Sequence, residues 1–279
     1  MKNLKLSYSP LIIWTLLFTI SPFLILILFA FTDKTNTFTL INVYKIGNYW
    51  HIILRSIIFA TITTFLCLSI AYPFAYFLYT TLKQTNQKII IALITLPTWT
   101  NLLLRTFAWM TLIEKNGIIN KILRLLQIPT INLINTPIAV IIVMVYDFLP
   151  FMIIPIYNAM NKIDNNIVTA SSDLGANEFQ TFKKVIFPLS MKGIFQGTGL
   201  IFVLACSTFI IPKMMSGNMI ILIGDLIESQ FMGPVYNPWL GSAFALSLNL
   251  TIILIMTITK TLKHTNKKGN FRNEEKVFL

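Results

Sequence analysis

Residues 138–159 read IAVIIVMVYDFLPFMIIPIYNA, a run of twenty-two residues with a single charge, at Asp147. A helix rises about 1.5 Å per residue and the hydrocarbon core of a bilayer is about 30 Å thick, so roughly 20 apolar residues suffice to cross it. Pro150 interrupts the run, which neighbouring helices tolerate in a membrane bundle. The run therefore predicts a membrane-spanning helix that carries a carboxylate near its middle.

Five further stretches of similar length and character lie along the chain. They cover residues 11–31, 57–78, 89–111, 194–215 and 240–259. The composition agrees with them, because 55% of the 279 residues are hydrophobic and 11% are charged, whereas a soluble domain carries about a quarter charged residues. The first stretch is too long for the apolar core of a signal peptide and no small-residue cleavage site follows it, so we expect a retained helix. We predict an all-α, multi-pass membrane protein with six transmembrane helices in one domain, residues 1–279.

The distribution of Lys and Arg predicts the orientation. With the N-terminus inside, the inner segments hold fourteen of the twenty-two basic residues, among them Lys2, Lys5 and Lys276, and the outer loops hold six. Cytoplasmic loops carry the excess of positive charge in membrane proteins. We therefore expect both termini in the cytoplasm, and the net charge of +12 needs no nucleic-acid partner to explain it.

Residue types that carry enzyme chemistry are sparse and scattered. Cys67 and Cys206 lie within predicted spans without ligand-like spacing, so we interpret them as small buried apolar residues. His51 and His264 are isolated. The chain has no glycine-rich phosphate-binding motif, so any ATP that drives it must bind to a partner. We predict a protein that is not an enzyme and binds no cofactor or metal.

The loop between the fourth and fifth spans, residues 161–190, reads NKIDNNIVTASSDLGANEFQTFKKVIFPLS. Apolar residues recur at helical spacing on both sides of Gly175, which predicts two short amphipathic helices broken at that glycine. They are Ile163, Ile167, Ala170 and Leu174 before it, and Phe179, Phe182 and Ile186 after it. Physical reasoning alone leaves two uses open for such a hairpin, lying on the lipid surface or contacting a partner.

The same loop resembles the EAA loop of ATP-binding-cassette (ABC) importer permeases. That loop has Glu-Ala-Ala, three residues, Gly, nine residues and then Ile-x-Leu-Pro, and this chain keeps every spacing. The matching positions are Thr169, Ala170, Ser171, Gly175, Ala176, Val185, Ile186, Phe187 and Pro188. Thr169 stands where the family has Glu, so one charge contact expected with the ATPase is absent. The resemblance implies that residues 161–190, which we call the coupling loop, dock against the ATPase.

Further segments resemble the spermidine/putrescine permeases among these importers. The segments are residues 97–109 (PTWTNLLLRTFAW), 148–155 (FLPFMIIP), 172–176 (SDLGA), 210–217 (IIPKMMSG), 222–224 (LIG) and 230–231 (QF). The resemblance implies a type I ABC importer permease fold in a bacterial inner membrane, a second homologous permease subunit, two cytoplasmic ATPase subunits and an external polyamine-binding protein. Permeases for iron, thiamine, sulfate or molybdate share the loop, so those substrates remain an alternative.

Asp147 is the leading candidate for a substrate path. It lies about ten residues into its span, close to the bilayer midplane, where a lipid-facing carboxylate is expensive. Polyamines are chains of ammonium groups, which carboxylates and aromatic faces attract, and Tyr146 and Phe148 flank Asp147. A salt bridge to Arg105 or a neutral, hydrogen-bonded Asp147 are the structural alternatives, and Arg105 would repel a polycation, so we interpret it as an anchor.

Weaker candidates lie toward the outer side. Asp225 and Glu228, three residues apart, would share a helix face and either attract polyamine, pair with the binding protein or simply face solvent. Trp99 is a path candidate, although anchoring at the membrane interface is the commoner role of tryptophan. Residues 114–137 are too short to span and predict a helix along the outer surface, facing lipid or the binding protein.

A self-contained secondary transporter or channel is the competing class. Such proteins usually carry internal repeats or several ionisable groups within the membrane for ion coupling. Only Asp147 and Arg105 lie well inside the predicted spans. A loop with the EAA spacing has no evident purpose in that class, which favours the importer.

Overall fold

The computed structural model describes residues 9–35, 37–234 and 236–275. Lys2, Lys5 and Lys276, which contribute to the predicted orientation, lie outside the described residues. Helices account for the regular structure of the described part, apart from one isolated bridge between Thr32 and Phe38. In chain order the helices are α1 (Ser9–Thr15), α2 (Ser21–Ala30), α3 (Ile41–Ile46), α4 (Trp50–Thr81), α5 (Gln84–Thr95), α6 (Leu102–Ile113), α7 (Ile118–Leu125), α8 (Pro137–Met160), α9 (Asn165–Asp173), α10 (Glu178–Thr181), α11 (Phe187–Ser207), α12 (Ile210–Met215), α13 (Ile223–Met232) and α14 (Pro238–Glu275).

Five stretches of helix in the described part are long and apolar enough to cross a membrane. They are Ile13–Ala30, Ile41–Thr81, Pro137–Met160, Glu178–Ser207 and Pro238–Thr257. A sixth arises if the bent helices of residues Gln84–Trp99 and Leu102–Leu125 count as one span. The predicted all-α, multi-pass fold is confirmed, with five spans or, if the bent pair is one span, the predicted six. The bounds of α8 differ from the predicted 138–159 by one residue at each end.

The third predicted span, residues 89–111, is wrong as a continuous helix. The chain bends by 93° between residues Gln84–Trp99 and Leu102–Leu125. Pro97 lies at the start of a 3-10 turn, Leu96–Trp99, and cannot donate a backbone hydrogen bond. Asn101 then accepts the Leu103 N–H at 2.8 Å and so caps α6. The sequence Pro-Thr-Trp-Thr-Asn thus ends one helix and begins another.

The fifth predicted span, residues 194–215, is also displaced. Helix α11 begins earlier, at Phe187, and ends at Ser207. Thr208 is extended, with ψ near 141°, and α12 begins at Ile210. An extended residue cannot continue the helical hydrogen-bond ladder, so the predicted helix divides there.

The described residues form two compact units, the first made of residues 9–53 and 226–275 and the second of residues Leu54–Asp225. In the first unit α14 packs on α2 and α3. The edge of the Tyr49 ring meets the Phe244 ring with centroids 5.1 Å apart. The Asn42 side-chain amide donates to the Thr32 carbonyl oxygen at 2.9 Å and orders the turn before α3.

The second unit is organised by the close packing of α8 against α11. Gly193 and Gly197, four residues apart, lie on the face of α11 that meets α8. A Cβ atom at Gly193 would overlap the Pro155 carbonyl oxygen, and one at Gly197 would lie 2.7 Å from the Met152 sulfur. Small residues at this spacing let two membrane helices approach closely. Cys67 and Cys206 are buried free thiols in this unit, which confirms their interpretation as small buried residues.

Candidate translocation path and coupling loop

Asp147 on α8 pairs with Arg105 on α6. The Arg105 Nε atom lies 3.2 Å from Asp147 Oδ1, and the side chains are 14% and 0% exposed. Neither carboxylate oxygen of Asp147 has a hydrogen-bond partner among the described residues, nor does Arg105 Nε, so the contact is an ion pair without a hydrogen bond. A buried pair is favourable only when its remaining lone pairs are satisfied. The sequence analysis left this salt bridge as one of three interpretations of Asp147, and the structure contains it as a single ion-pair contact through Oδ1.

Aromatic side chains next to the pair differ in exposure. The Tyr146 ring is partly exposed and meets the Trp109 ring edge to face, with centroids 5.1 Å apart. Trp109 lies on α6, four residues after Arg105, so the same two helices position both the ion pair and the aromatic pair. Trp99 is 80% exposed, at the end of the 3-10 turn. The structure thus brings Tyr146 to Trp109 and leaves Trp99 at the surface.

Asp225 and Glu228, the acidic residues of the segment predicted to lie outside, are on α13. Asp225 is in its first turn, where its Oδ2 atom accepts the Leu222 N–H at 2.8 Å. An acidic residue in the first helical turn stabilises the helix through its unpaired N–H groups and its dipole. Glu228 follows three residues later and is half-buried. Asp225 therefore stabilises the start of α13.

The first half of the coupling loop confirms the predicted helix break at Gly175. Helix α9 begins at its N-cap Asp164, whose carboxylate accepts the Asn166 N–H at 3.0 Å. At its end the Gly175 N–H bonds to the Ser172 carbonyl and the Ala176 N–H to the Ser171 carbonyl. These two bonds form a Schellman motif, whose C′ residue adopts the left-handed conformation. Gly175 has φ +82°, which a side chain with a Cβ atom would adopt with strain.

The second half of the loop runs continuously into the membrane helix α11. Asn177 caps α10 by accepting the Gln180 N–H at 2.8 Å, and the Gln180 side chain accepts the Asn177 N–H at 3.1 Å. This reciprocal capping box satisfies two N–H groups that the helix leaves free. A π turn, Phe182–Ile186, follows and leads into Pro188 at the first turn of α11. The predicted second helix is therefore an extension of a membrane-spanning helix, Glu178–Ser207, rather than a separate surface helix.

Residues at the EAA positions lie on an accessible face of the loop. Thr169 and Ala170 are exposed, and the Ser171 hydroxyl bridges the two halves through the Thr181 hydroxyl at 2.9 Å. Apolar side chains at the hinge are exposed too, with Leu174 at 89% and Phe179 at 69%. Exposed large apolar side chains grouped on one loop are typical of a surface that meets lipid or protein.

Two tyrosines that the sequence analysis did not single out, Tyr72 and Tyr76, help to line a cavity beside the loop. Tyr72, Pro73 and Tyr76 of α4 line it together with Glu178, Phe179 and Phe182 of the coupling loop. Tyr72 and Tyr76 are four residues apart, so the sequence could have shown that they share one face of a helix. The contact between α4 and the loop joins residues about a hundred positions apart, so no local sequence pattern predicts it.

Comparison with known proteins connects this geometry to transport. Residues 88–265 match the family described as binding-protein-dependent transport system inner membrane component. The spermidine/putrescine transport system permease protein PotB of Haemophilus influenzae is 34% identical over 95% of this chain and 96% of its own length. PotB of Escherichia coli K12 is 32% identical over 91% of this chain and 96% of its own.

Solved structures share the fold. A bacterial ABC transporter involved in import of the acidic polysaccharide alginate superposes with a TM-score of 0.74, at 14% identity over 94% of this chain and 96% of that one. The alginate transporter in complex with its pentasaccharide-bound periplasmic protein gives a TM-score of 0.72, at 14% identity over 92% of each chain. The family model covers more than half of the chain, so the protein is a multi-pass membrane transport component and, as predicted, not an enzyme. This chain belongs to the family of binding-protein-dependent transport system inner membrane components.

Proposed function

We propose that this chain is the permease subunit of an ABC importer and forms part of the translocation path for polyamines such as spermidine and putrescine. The observation that carries the proposal is the 32–34% identity to spermidine/putrescine permeases over more than nine-tenths of the chain. The alginate transporters share the fold at 14% identity, which supports the proposed architecture. The proposed substrate rests on the more similar spermidine/putrescine permeases.

Asp147 supplies the charge for this path. A polyamine presents ammonium groups separated by methylene segments, so its site needs a carboxylate and apolar or aromatic walls. One carboxylate oxygen of Asp147, Oδ1, lies 3.2 Å from Arg105 Nε. The other oxygen, Oδ2, has no hydrogen-bond partner in the described part of the chain. When the helices part during transport, that oxygen accepts the passing ammonium group, and Tyr146 and Trp109 offer ring faces beside it.

The coupling loop faces the cytoplasm in this proposal and meets one of two ATPase subunits. The exposed Ile167 and Leu174 provide the apolar contact, and the Schellman turn at Gly175 fixes their direction. A second, homologous permease subunit completes the path, and both termini are cytoplasmic. On the outer side an external polyamine-binding protein delivers the substrate, near Asp225, Glu228 and Trp99.

Reconstitution tests the proposal. The chain is co-purified with its second permease and ATPase, inserted in liposomes and supplied with the binding protein, ATP inside and radiolabelled spermidine outside. We expect uptake that needs ATP and stops when the ATPase is omitted. Excess unlabelled putrescine should compete, whereas ferric iron, thiamine and sulfate should not. Uptake by the permease chain alone would instead identify a secondary transporter.

A further inference from the structure

The cavity beside the coupling loop has a volume of about 400 Å³, within the range of about 300–1,000 Å³ for small-molecule sites. Its lining comes from one turn of α4 and one turn of the loop, all within residues Leu54–Asp225. We call its six lining residues the aromatic cage. They are Tyr72, Pro73, Tyr76, Glu178, Phe179 and Phe182.

The Phe182 ring of the cage meets two tyrosine rings edge to face. The Phe182 ring centroid lies 4.9 Å from that of Tyr76 and 6.0 Å from that of Tyr72, both with interplanar angles of 73°. In an edge-to-face contact one ring covers a single face of the other, and all three rings line the cavity. The Tyr72 hydroxyl lies 3.2 Å from the Ser190 hydroxyl, which fixes one wall. Phe179 adds a mostly exposed ring.

Glu178 gives the cage a negative charge. Its carboxylate makes no salt bridge or hydrogen bond with another side chain in the parts of the chain that the structure describes. Lys183 and Lys184 follow on the exposed surface of the π turn and do not line the cavity. The lining therefore combines one carboxylate with ring faces and carries no cation of its own.

Ring faces and a carboxylate together select cations. The face of an aromatic ring is negative and attracts an ammonium group, while its apolar area covers the methylene groups attached to it. An anion would meet Glu178 at close range, and a neutral polar ligand would gain nothing from the rings. We propose that the aromatic cage binds an alkylammonium chain, and that its ligand is the imported polyamine on the coupling-loop side of the membrane.

This inference rests on the proposed function for the identity and the side of the ligand. Because the cage joins α4 to the coupling loop, a polyamine bound there contacts both elements at once. Accumulated product would then act on the segment that meets the ATPase and slow its own import. The site is open, so its affinity is low and suits a product that has built up rather than a substrate being captured.

Binding is measured on the assembled complex in an uncharged maltoside detergent, with radiolabelled spermidine and equilibrium dialysis. The complex carries Asp147→Asn, so that the path site does not contribute. Loss of one exposed cation–π contact or one exposed charge pair corresponds to about two- to fivefold in affinity. We expect the Tyr76→Leu/Glu178→Gln double variant to bind spermidine about tenfold more weakly. Tyr76→Phe keeps the ring face and should bind normally.

Tyr79→Leu is the matched control, because Tyr79 lies on α4 and does not line the cavity. It should bind spermidine like the parent complex. Phosphatidylethanolamine, added to the micelles, tests whether a lipid headgroup supplies the ammonium group instead. Displacement of spermidine by this lipid at equal concentration would overturn the assignment to free polyamine, and so would unchanged binding by the double variant.

Inhibition from the loop side provides the second readout. Liposomes are loaded with unlabelled spermidine, and each variant's uptake rate is divided by its own rate without internal spermidine, which cancels effects on coupling itself. We expect wild type and Tyr79→Leu to be slowed and the double variant to be slowed at least threefold less. Equal inhibition of all three would overturn the inference while leaving ATP-dependent polyamine uptake, and hence the proposed function, intact.

Discussion

The coupling loop and the Arg105–Asp147 pair are held in place in different ways. The loop satisfies its backbone over short distances, through the Schellman bonds around Gly175 and the capping box of Asn177 and Gln180. The pair joins α6 and α8, depends on the packing between them and leaves both carboxylate oxygens of Asp147 without a hydrogen bond among the described residues. The conformation of the loop therefore depends on its own sequence, whereas the pair depends on how two helices pack.

This difference predicts that the two regions fail differently. A substitution at the Gly175 turn should spoil contact with the partner and leave the membrane bundle intact, because local backbone hydrogen bonds close that turn. A substitution in the pair should lower the stability of the bundle, because it leaves a buried charge unpaired. The following changes test that contrast, from the largest expected effect to the smallest.

Arg105→Gln should have the largest effect. Breaking a buried pair by removing one partner costs about 3–5 kcal/mol, since the other charge stays buried. We expect a lower midpoint temperature of thermal unfolding for the detergent-solubilised protein. Arg124→Gln is the control, because Arg124 is an exposed arginine that donates to the Lys115 carbonyl oxygen at 2.8 Å, and it should cost less than about 1 kcal/mol. Equal midpoints for the two variants would show that the pair does not support the bundle.

Gly193→Val should come next and tests the packing that positions α8. A side chain there would overlap the Pro155 carbonyl oxygen and the Ala159 Cβ atom, and overpacking of this kind costs about 1–3 kcal/mol. The same thermal measurement applies. Gly47→Val is the matched control, because a Cβ atom at Gly47 meets nothing within 4 Å. If both valines were tolerated equally, α8 and α11 would not be packed as closely as the structure has them.

Gly175→Val should have the smallest effect on stability. A Cβ atom there also meets nothing within 4 Å, so the strain comes only from φ +82°, which costs about 1–2 kcal/mol. We expect normal membrane insertion, a thermal midpoint lowered by less than in Gly193→Val, and at least about fivefold less ATPase recovered by pull-down. Gly175→Asn tolerates this conformation better and should recover most of the binding. Wild-type pull-down by the valine variant would remove the hinge role of Gly175.

Local chemistry explains which parts of this fold were predictable from the sequence. The apolar run around Asp147 gave the bounds of α8 to within one residue. Gly175 was predicted as the break in the loop, because glycine tolerates the left-handed conformation that ends a helix. Both features depend on residues within a few positions of each other.

The remaining features depend on competition or on distance. The apolar run around Pro97 is long enough to span a membrane, so the third span was wrongly predicted as continuous. The hydrogen bonds of Thr100 and Asn101 stabilise a break in the helix there. The sequence allowed an Arg105–Asp147 salt bridge and could not choose it over the other readings of Asp147. The aromatic cage was not predicted, because it forms only where α4 contacts the coupling loop, two segments that are distant in the sequence.

Uptake of radiolabelled polyamine by Asp147→Asn, normalised to the amount of assembled complex, tests the central claim that this carboxylate serves a polyamine path. The substitution keeps size and hydrogen-bonding capacity and removes the charge that attracts a polycation at low dielectric. We expect uptake to fall at least tenfold, with spermidine affected at least as much as putrescine because it carries the greater charge. The Asp147→Asn/Arg105→Gln double variant should regain thermal stability and remain inactive. Normal uptake by Asp147→Asn, or uptake restored in the double variant, would contradict the claim and assign Asp147 to the scaffold alone.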